Sequence, residues 1–77
     1  MTVHEEIVSQ IKTMRKNLKE LRKEKSWSFE ELSKKSGINV EILKAIEVGK
    51  DFNIIHLFTL SKLYNLHIQE LFSPIKK

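Results

Sequence analysis

Three times between residues 27 and 58, a short polar residue able to cap a helix follows one apolar residue and precedes another by four positions. The three sets are Trp27/Ser28/Leu32, Ile38/Asn39/Leu43 and Phe52/Asn53/Leu57. In each, the polar side chain can accept a hydrogen bond from the unpaired N–H groups of a first helical turn, and the apolar pair closes over it as a hydrophobic staple. Three short helices are therefore expected to begin at these points. Gly37 and Gly49, the only glycines, stand where the second and third helices must stop in a left-handed conformation. The stretch from Ser28 to Gly49 thus reads as helix, tight turn, helix.

Upstream, Thr2 and Glu5 form a capping box, and Glu5 and Glu6 occupy the end of the helix that favours negative charge. No Gly or Pro interrupts the next twenty or so residues, so a first helix is expected from about Val3 to about Glu24, roughly 33 Å long at the α-helical rise. Its apolar residues Ile7, Ile11, Met14, Leu18 and Leu21 recur at alternating spacings of 4 and 3, a heptad seam. A fourth helix is expected after Asn53, with Ile54, Leu57, Phe58, Leu60 and Leu63 or Tyr64 toward the core and Asn65 as a left-handed cap. A last short helix is expected around Ile68 to Phe72, ended by Ser73-Pro74, because the residue before proline disfavours the helical region. Residues 75–77 read as a frayed tail. The expectation is one all-α domain over residues 1–77, with residues 1–13 as a helical extension and 73–77 as a tail.

Composition narrows the function classes. The 77 residues contain no cysteine, and His4, His56 and His67 fall on different segments without ligand-like spacing. Disulfides, thiolate metal sites and resident cofactors are not expected. No apolar run approaches the roughly 18 residues of a membrane span, and a soluble, cytoplasmic protein is expected. The chain lacks a nucleophile with its base, a metal-ligand cluster and a glycine-rich phosphate loop, so an enzyme is the least expected class. The net charge of +4 permits a polyanionic partner. It is unevenly placed: residues 1–25 hold seven Lys/Arg against four Glu, whereas residues 26–50 hold four Lys against four Glu. The surplus lies on the first helix, outside the helix pair.

The run LKELRKEKSWSFEELSKKSGINVEILKAIEVGK, continued by LFTLSKLYNLHIQELF, resembles the lambda repressor/Cro-like helix-turn-helix family, also called the XRE family. The resemblance rests on Leu18, Leu21 and Arg22, on Gly37-Ile38 at the turn, on Ile46 to Lys50 closing the third helix, and on the terminal Leu71-Phe72. It implies a compact five-helix lambda-repressor-like DNA-binding domain, here with an extended first helix. In such a domain the third helix lies in the major groove of double-stranded DNA while the second crosses the backbone. By position, the resemblance turns Asn39, Val40, Glu41, Lys44 and Ala45 toward base edges. Lys50, Asn53, Ser28 and the backbone at Phe29 are set near phosphates, since helix N-termini offer N–H groups to anions. Phe29 replaces the family's usual glutamine, so a side-chain donor is missing there. Val40, Ile42, Ala45 and Val48 occupy positions where relatives carry arginine or small polar residues, and none can make the bidentate arginine-to-guanine contact.

Other residues have plainer readings. Trp27 is expected in the core as a staple, and the cationic residues from Lys12 to Lys25 as the solvated face of an amphipathic helix, some within reach of phosphate. Leu43 and Ile46 are expected in the core. Ile7, Ile11 and Met14 are expected to project beyond the domain and to need cover from Leu71, Phe72 and Ile75 or from a second subunit. A neutral reading helix binds DNA weakly as one module, so a homodimer is predicted. The expected function is a sequence-specific, dimeric DNA-binding repressor without a small-molecule ligand. The alternative is a protein-interaction module on the same fold, of antitoxin or anti-repressor type, using Phe29, Val40, Ile42 and Val48.

Overall fold

The structure is a computed structural model that describes residues 2–50 and 53–74. These residues form α1 (Val3–Glu24), α2 (Phe29–Ser36), α3 (Val40–Val48), α4 (Ile54–Leu63) and a 3-10 helix (Ile68–Phe72), with no strand among them. The all-α expectation holds, but the count of five α-helices does not: the fifth element is a 3-10 helix. Only five residues separate the extended His67 (ψ 146°) from the extended Ser73 (ψ 152°), which Pro74 holds out of the helical region. That leaves too little chain for successive i to i−4 bonds, and the tighter helix is used instead.

The caps explain where the helices begin. Glu5 N–H donates to Thr2 Oγ1, Glu31 N–H to Ser28 Oγ, Glu41 N–H to Asn39 Oδ1 and Ile55 N–H to Asn53 Oδ1. Phe52, the outer member of the third staple, and the tail residue Ile75 lie outside the described residues. The helix ends are equally specific. Gly49 sits at φ 83°, where its N–H donates to Ile46 O and that of Lys50 to Ala45 O, a Schellman motif. Asn65 (φ 59°) closes α4 in the same way, with its N–H donating to Lys62 O and that of Leu66 to Ser61 O. Ser26 (φ 57°) does so for α1, a left-handed serine that no sequence signal marks.

Nine apolar residues form the core: Met14 and Leu18 of α1, Leu32, Ile38, Leu43 and Ile46 of the helix pair, Leu57 and Leu60 of α4, and Leu71. Met14, expected to project, is 1% exposed because the 3-10 helix packs on α1 and brings Leu71 over it. Two buried bonds fix that corner: Asn17 Nδ2 donates to Leu71 O at 2.9 Å and to Ser73 O at 2.7 Å. Ile54 and Phe58, expected in the core, lie outside it at 50% and 54% exposure, and Ile55 reaches 69%. α4 is apolar around most of its circumference, so spacing alone could not select its inner face, which is Leu57, Leu60 and Ser61. Trp27 packs at the edge of the core, stacked on Tyr64 at a ring separation of 5.8 Å.

Candidate nucleic-acid interface

The helix pair is positioned by one polar bracket from α1. Arg22 Nε donates to Glu47 Oε2 at 2.7 Å and Nη2 donates to Oε1 at 3.1 Å, while Nη1 donates to Trp27 O at 3.1 Å. The guanidinium also lies over the Phe29 ring, 4.2 Å from its centroid. One side chain therefore holds the start of α2 and the end of α3 against α1. The Glu47 hydrogen bond raises the Arg22 pKa against the opposing effect of burial. Tyr64 lies close enough for burial, with Glu47 adding to it, to push the phenol up to about 12. Its hydroxyl is buried without a hydrogen-bond partner.

With Arg22 and Glu47 committed to each other, the outer surface of α3 belongs to other residues. Glu41, Lys44 and Val48 are exposed and Ala45 is half-buried beside them, so these four share one outward stripe. Val40 and Ile42 are half-buried, and Ile42 packs on the core. Asn39 is exposed, but its Oδ1 is occupied by the cap. Lys44 Nζ stands 4.0 Å from Glu41 Oε1, so the cation of the stripe is partly balanced by its own neighbour. Of the apolar face read from the sequence (Phe29, Val40, Ile42, Val48), only Val48 is largely exposed, at 59%.

Beside this stripe lies an open cleft of about 400 Å³ lined by Lys19, Arg22, Phe29, Lys44, Glu47 and Val48. Its floor is the closed ion pair and the Phe29 ring, and Lys19 of α1 and Lys44 of α3 supply its exposed cations. In the sequence, Lys19 reads as one cation among several on a solvated helix. Its place next to the third helix depends on how α1 crosses α3, which no spacing encodes.

The residues expected near phosphates are spread over separate places. At the start of α2, Ser28 N–H donates to Glu31 Oε1 at 3.2 Å and Ser28 Oγ to the same oxygen at 3.3 Å. A carboxylate already occupies the spot an anion would take, and Glu30 adds a second negative charge to that turn. Phe29 offers no side-chain contact outward, since its ring is under Arg22. The start of α4 differs: Asn53 caps it and its first turn carries no acidic residue, which suits an anion better. Lys50 is exposed just beyond the Gly49 cap. Arg15 also reaches this end of α3, since its Nη1 lies 2.6 Å from where a Cβ on Gly49 would stand.

No group of three or more His, Asp or Glu that could hold a metal ion occurs among the described residues, and no helix among them is long and apolar enough to cross a membrane. A family model described as helix-turn-helix matches residues 18–71, from the inner half of α1 through the 3-10 helix. No curated protein and no solved structure matches the chain.

Proposed function

Given that the chain belongs to the lambda repressor/Cro-like helix-turn-helix family, a family of DNA-binding regulators, we propose that it is a sequence-specific, homodimeric transcriptional repressor that reads double-stranded DNA in the cytoplasm. The observation that carries this reading is the outward stripe of α3, Glu41, Lys44, Ala45 and Val48, flanked by Lys19 from α1. In the major groove, Lys44 serves as donor to guanine acceptors, Ala45 and Val48 meet thymine methyl groups, and Glu41 accepts from a cytosine amino group. Lys50, Arg15 and the α4 N-terminus face phosphate, and Lys19 extends that contact on the opposite flank. A protein with so few cations at the reading helix gains sequence preference from apolar and shape contacts and gains affinity from pairing two copies.

The test is fluorescence anisotropy with a random duplex and with DNA from the protein's own upstream region, over about 50 to 200 mM salt, where phosphate contacts reveal themselves through counterion release. Tighter binding to the upstream duplex, with affinity falling steeply as salt rises, is the expected result. Absence of binding at the lowest salt would sink the proposal.

One observation favours a second reading, a protein-interaction module. Ile54, Ile55 and Phe58 form an exposed apolar patch on α4 with Lys62 at its edge. Patches of this kind mark contact surfaces. Binding of a protein partner through it would be insensitive to salt, unlike the DNA contact.

A further inference from the structure

The apolar seam of α1 continues beyond the part of the helix that the domain covers. Met14 and Leu18 are enclosed and Ile11 is half-buried, but Ile7 is 48% exposed and Val3 73%, with Val8 also exposed beside them. An unsupported helix of this length is marginal in water, so the outer turns gain from any cover. A small apolar cleft of about 230 Å³, lined by Ile7, Gln10, Ile11 and Phe72, lies where the outer turns meet the 3-10 helix.

The charges on α1 are sorted along its length. Glu5 and Glu6 occupy the first turn, and the next charged residues are all cationic: Lys12, Arg15, Lys16 and Lys19. Two copies placed in parallel set Glu5 beside Glu5 and Lys12 beside Lys12. Placed antiparallel, they set Glu5 beside Lys12 twice, and nearly the same register brings Ile7 opposite Ile11 twice. The helix is therefore complementary to a reversed copy of itself in both charge and apolar pattern.

From this we infer that the outer half of α1, with the Phe72 corner, is a docking surface for a second copy of the chain, seated as an antiparallel helix pair. The inference rests on the dimeric reading above and supplies its interface. Ile7 of one copy fills the cleft beside the partner's Ile11, and the Glu5 carboxylate lies alongside the partner's Lys12. The α4 patch is the weaker candidate for self-pairing: its only Lys, Arg, Asp or Glu is Lys62, so apposed copies add like charges and gain no opposite ones.

Sedimentation equilibrium of the full chain at tens of micromolar tests this, with Ile7→Glu and Lys12→Glu as variants and far-UV circular dichroism as the check on helix content. The wild type is expected to be a dimer and Ile7→Glu to raise its dissociation constant by about tenfold or more, because one apolar side chain leaves the interface on each side. Lys12→Glu is expected to weaken the dimer, and mixing it with Glu5→Lys chains to restore association as a heterodimer. A monomeric wild type overturns the inference, as does a dimer indifferent to Ile7→Glu, and failure of the charge-swapped mixture to associate overturns the antiparallel arrangement. Random-duplex binding by the Ile7→Glu monomer separates the two readings: salt-dependent binding that survives leaves the DNA-binding proposal standing however the interface fares.

Discussion

Arg22 and Glu47, 25 residues apart, meet through two near-parallel hydrogen bonds at 2.7 and 3.1 Å, and that pair fixes the angle at which α3 leaves the domain. Both side chains are largely shielded, at 14% and 9% exposure, so removing one leaves the other charged without a partner. Glu47→Ala is expected to cost about 2 to 4 kcal/mol. Arg22→Lys should recover little of the stability that an alanine removes, because an ammonium cannot span both carboxylate oxygens, Trp27 O and the Phe29 ring together. Urea unfolding followed by circular dichroism gives both values. An Arg22→Lys variant as stable as the wild type would refute the bracket.

Lys19 and Lys44 share the cleft beside α3, and both side chains are exposed. Changing either to alanine should leave the unfolding midpoint within error. On DNA, removing a cation that meets a phosphate lowers the slope of log affinity against log salt by about 1. Glu41→Gln should act the other way and tighten DNA binding, since it releases Lys44 from a carboxylate 4.0 Å away and removes a charge that repels phosphate. Anisotropy titrations at several salt concentrations read all three.

The two glycines should respond differently to alanine. Both have positive φ, 78° at Gly37 and 83° at Gly49, so each substitution carries a backbone cost of about 1 kcal/mol. At Gly37 nothing lies within 4 Å of the added Cβ, whereas at Gly49 the Cβ would meet Arg15 Nη1 at 2.6 Å and Cδ at 2.9 Å. Gly49→Ala should therefore be the more damaging in thermal unfolding. Adding Arg15→Ala should remove most of the difference between the two sites, and a double variant no more stable than Gly49→Ala would refute the clash.

The Tyr64 hydroxyl is buried without a partner, and removing such a group costs little or stabilises. Tyr64→Phe is expected to match or exceed wild-type stability by up to about 1 kcal/mol. The variant should also lose a pH dependence. The phenol is raised from 10.0 to about 12 in the folded chain, so the unfolded chain ionises first. Stability from this group is complete below pH 10 and declines as pH rises toward 12. Denaturant midpoints across that window should fall for the wild type and fall less for the phenylalanine variant.

The positions of the helices are legible in the sequence because local chemistry dictates them. Ser28, Asn39 and Asn53 cap, Gly37 and Gly49 turn, and Leu18, Leu43, Ile46, Leu57 and Leu60 keep the spacing that turns them inward. The features that escape the sequence depend on contacts between elements. Asn17 stands in a cationic run and reads as solvent-facing, yet it is 3% exposed because its amide meets two carbonyls more than fifty residues away. Ile54 and Phe58 read as core because α4 is apolar on nearly every side. At the candidate site, Lys44 is accessible from its position in the third helix, but its meeting with Lys19 is not. The capping box at Ser28 and Glu31 reads as helix stability, and its second effect, a carboxylate already seated at the start of α2, emerges only from the geometry.

The Asn17 amide also ties the order of events in folding to residues far downstream. Its two acceptors, Leu71 O and Ser73 O, leave a ribosome more than fifty residues after it, and closing so long a loop is entropically costly until other contacts have formed. Until they arrive, the middle of α1 carries an amide with no carbonyl to meet and a methionine with no leucine above it. A chain cut short before Leu71 would keep all four α-helical segments and both turn glycines, yet its first helix would have nothing to seal it, so residues 71–73 act as a latch on the first.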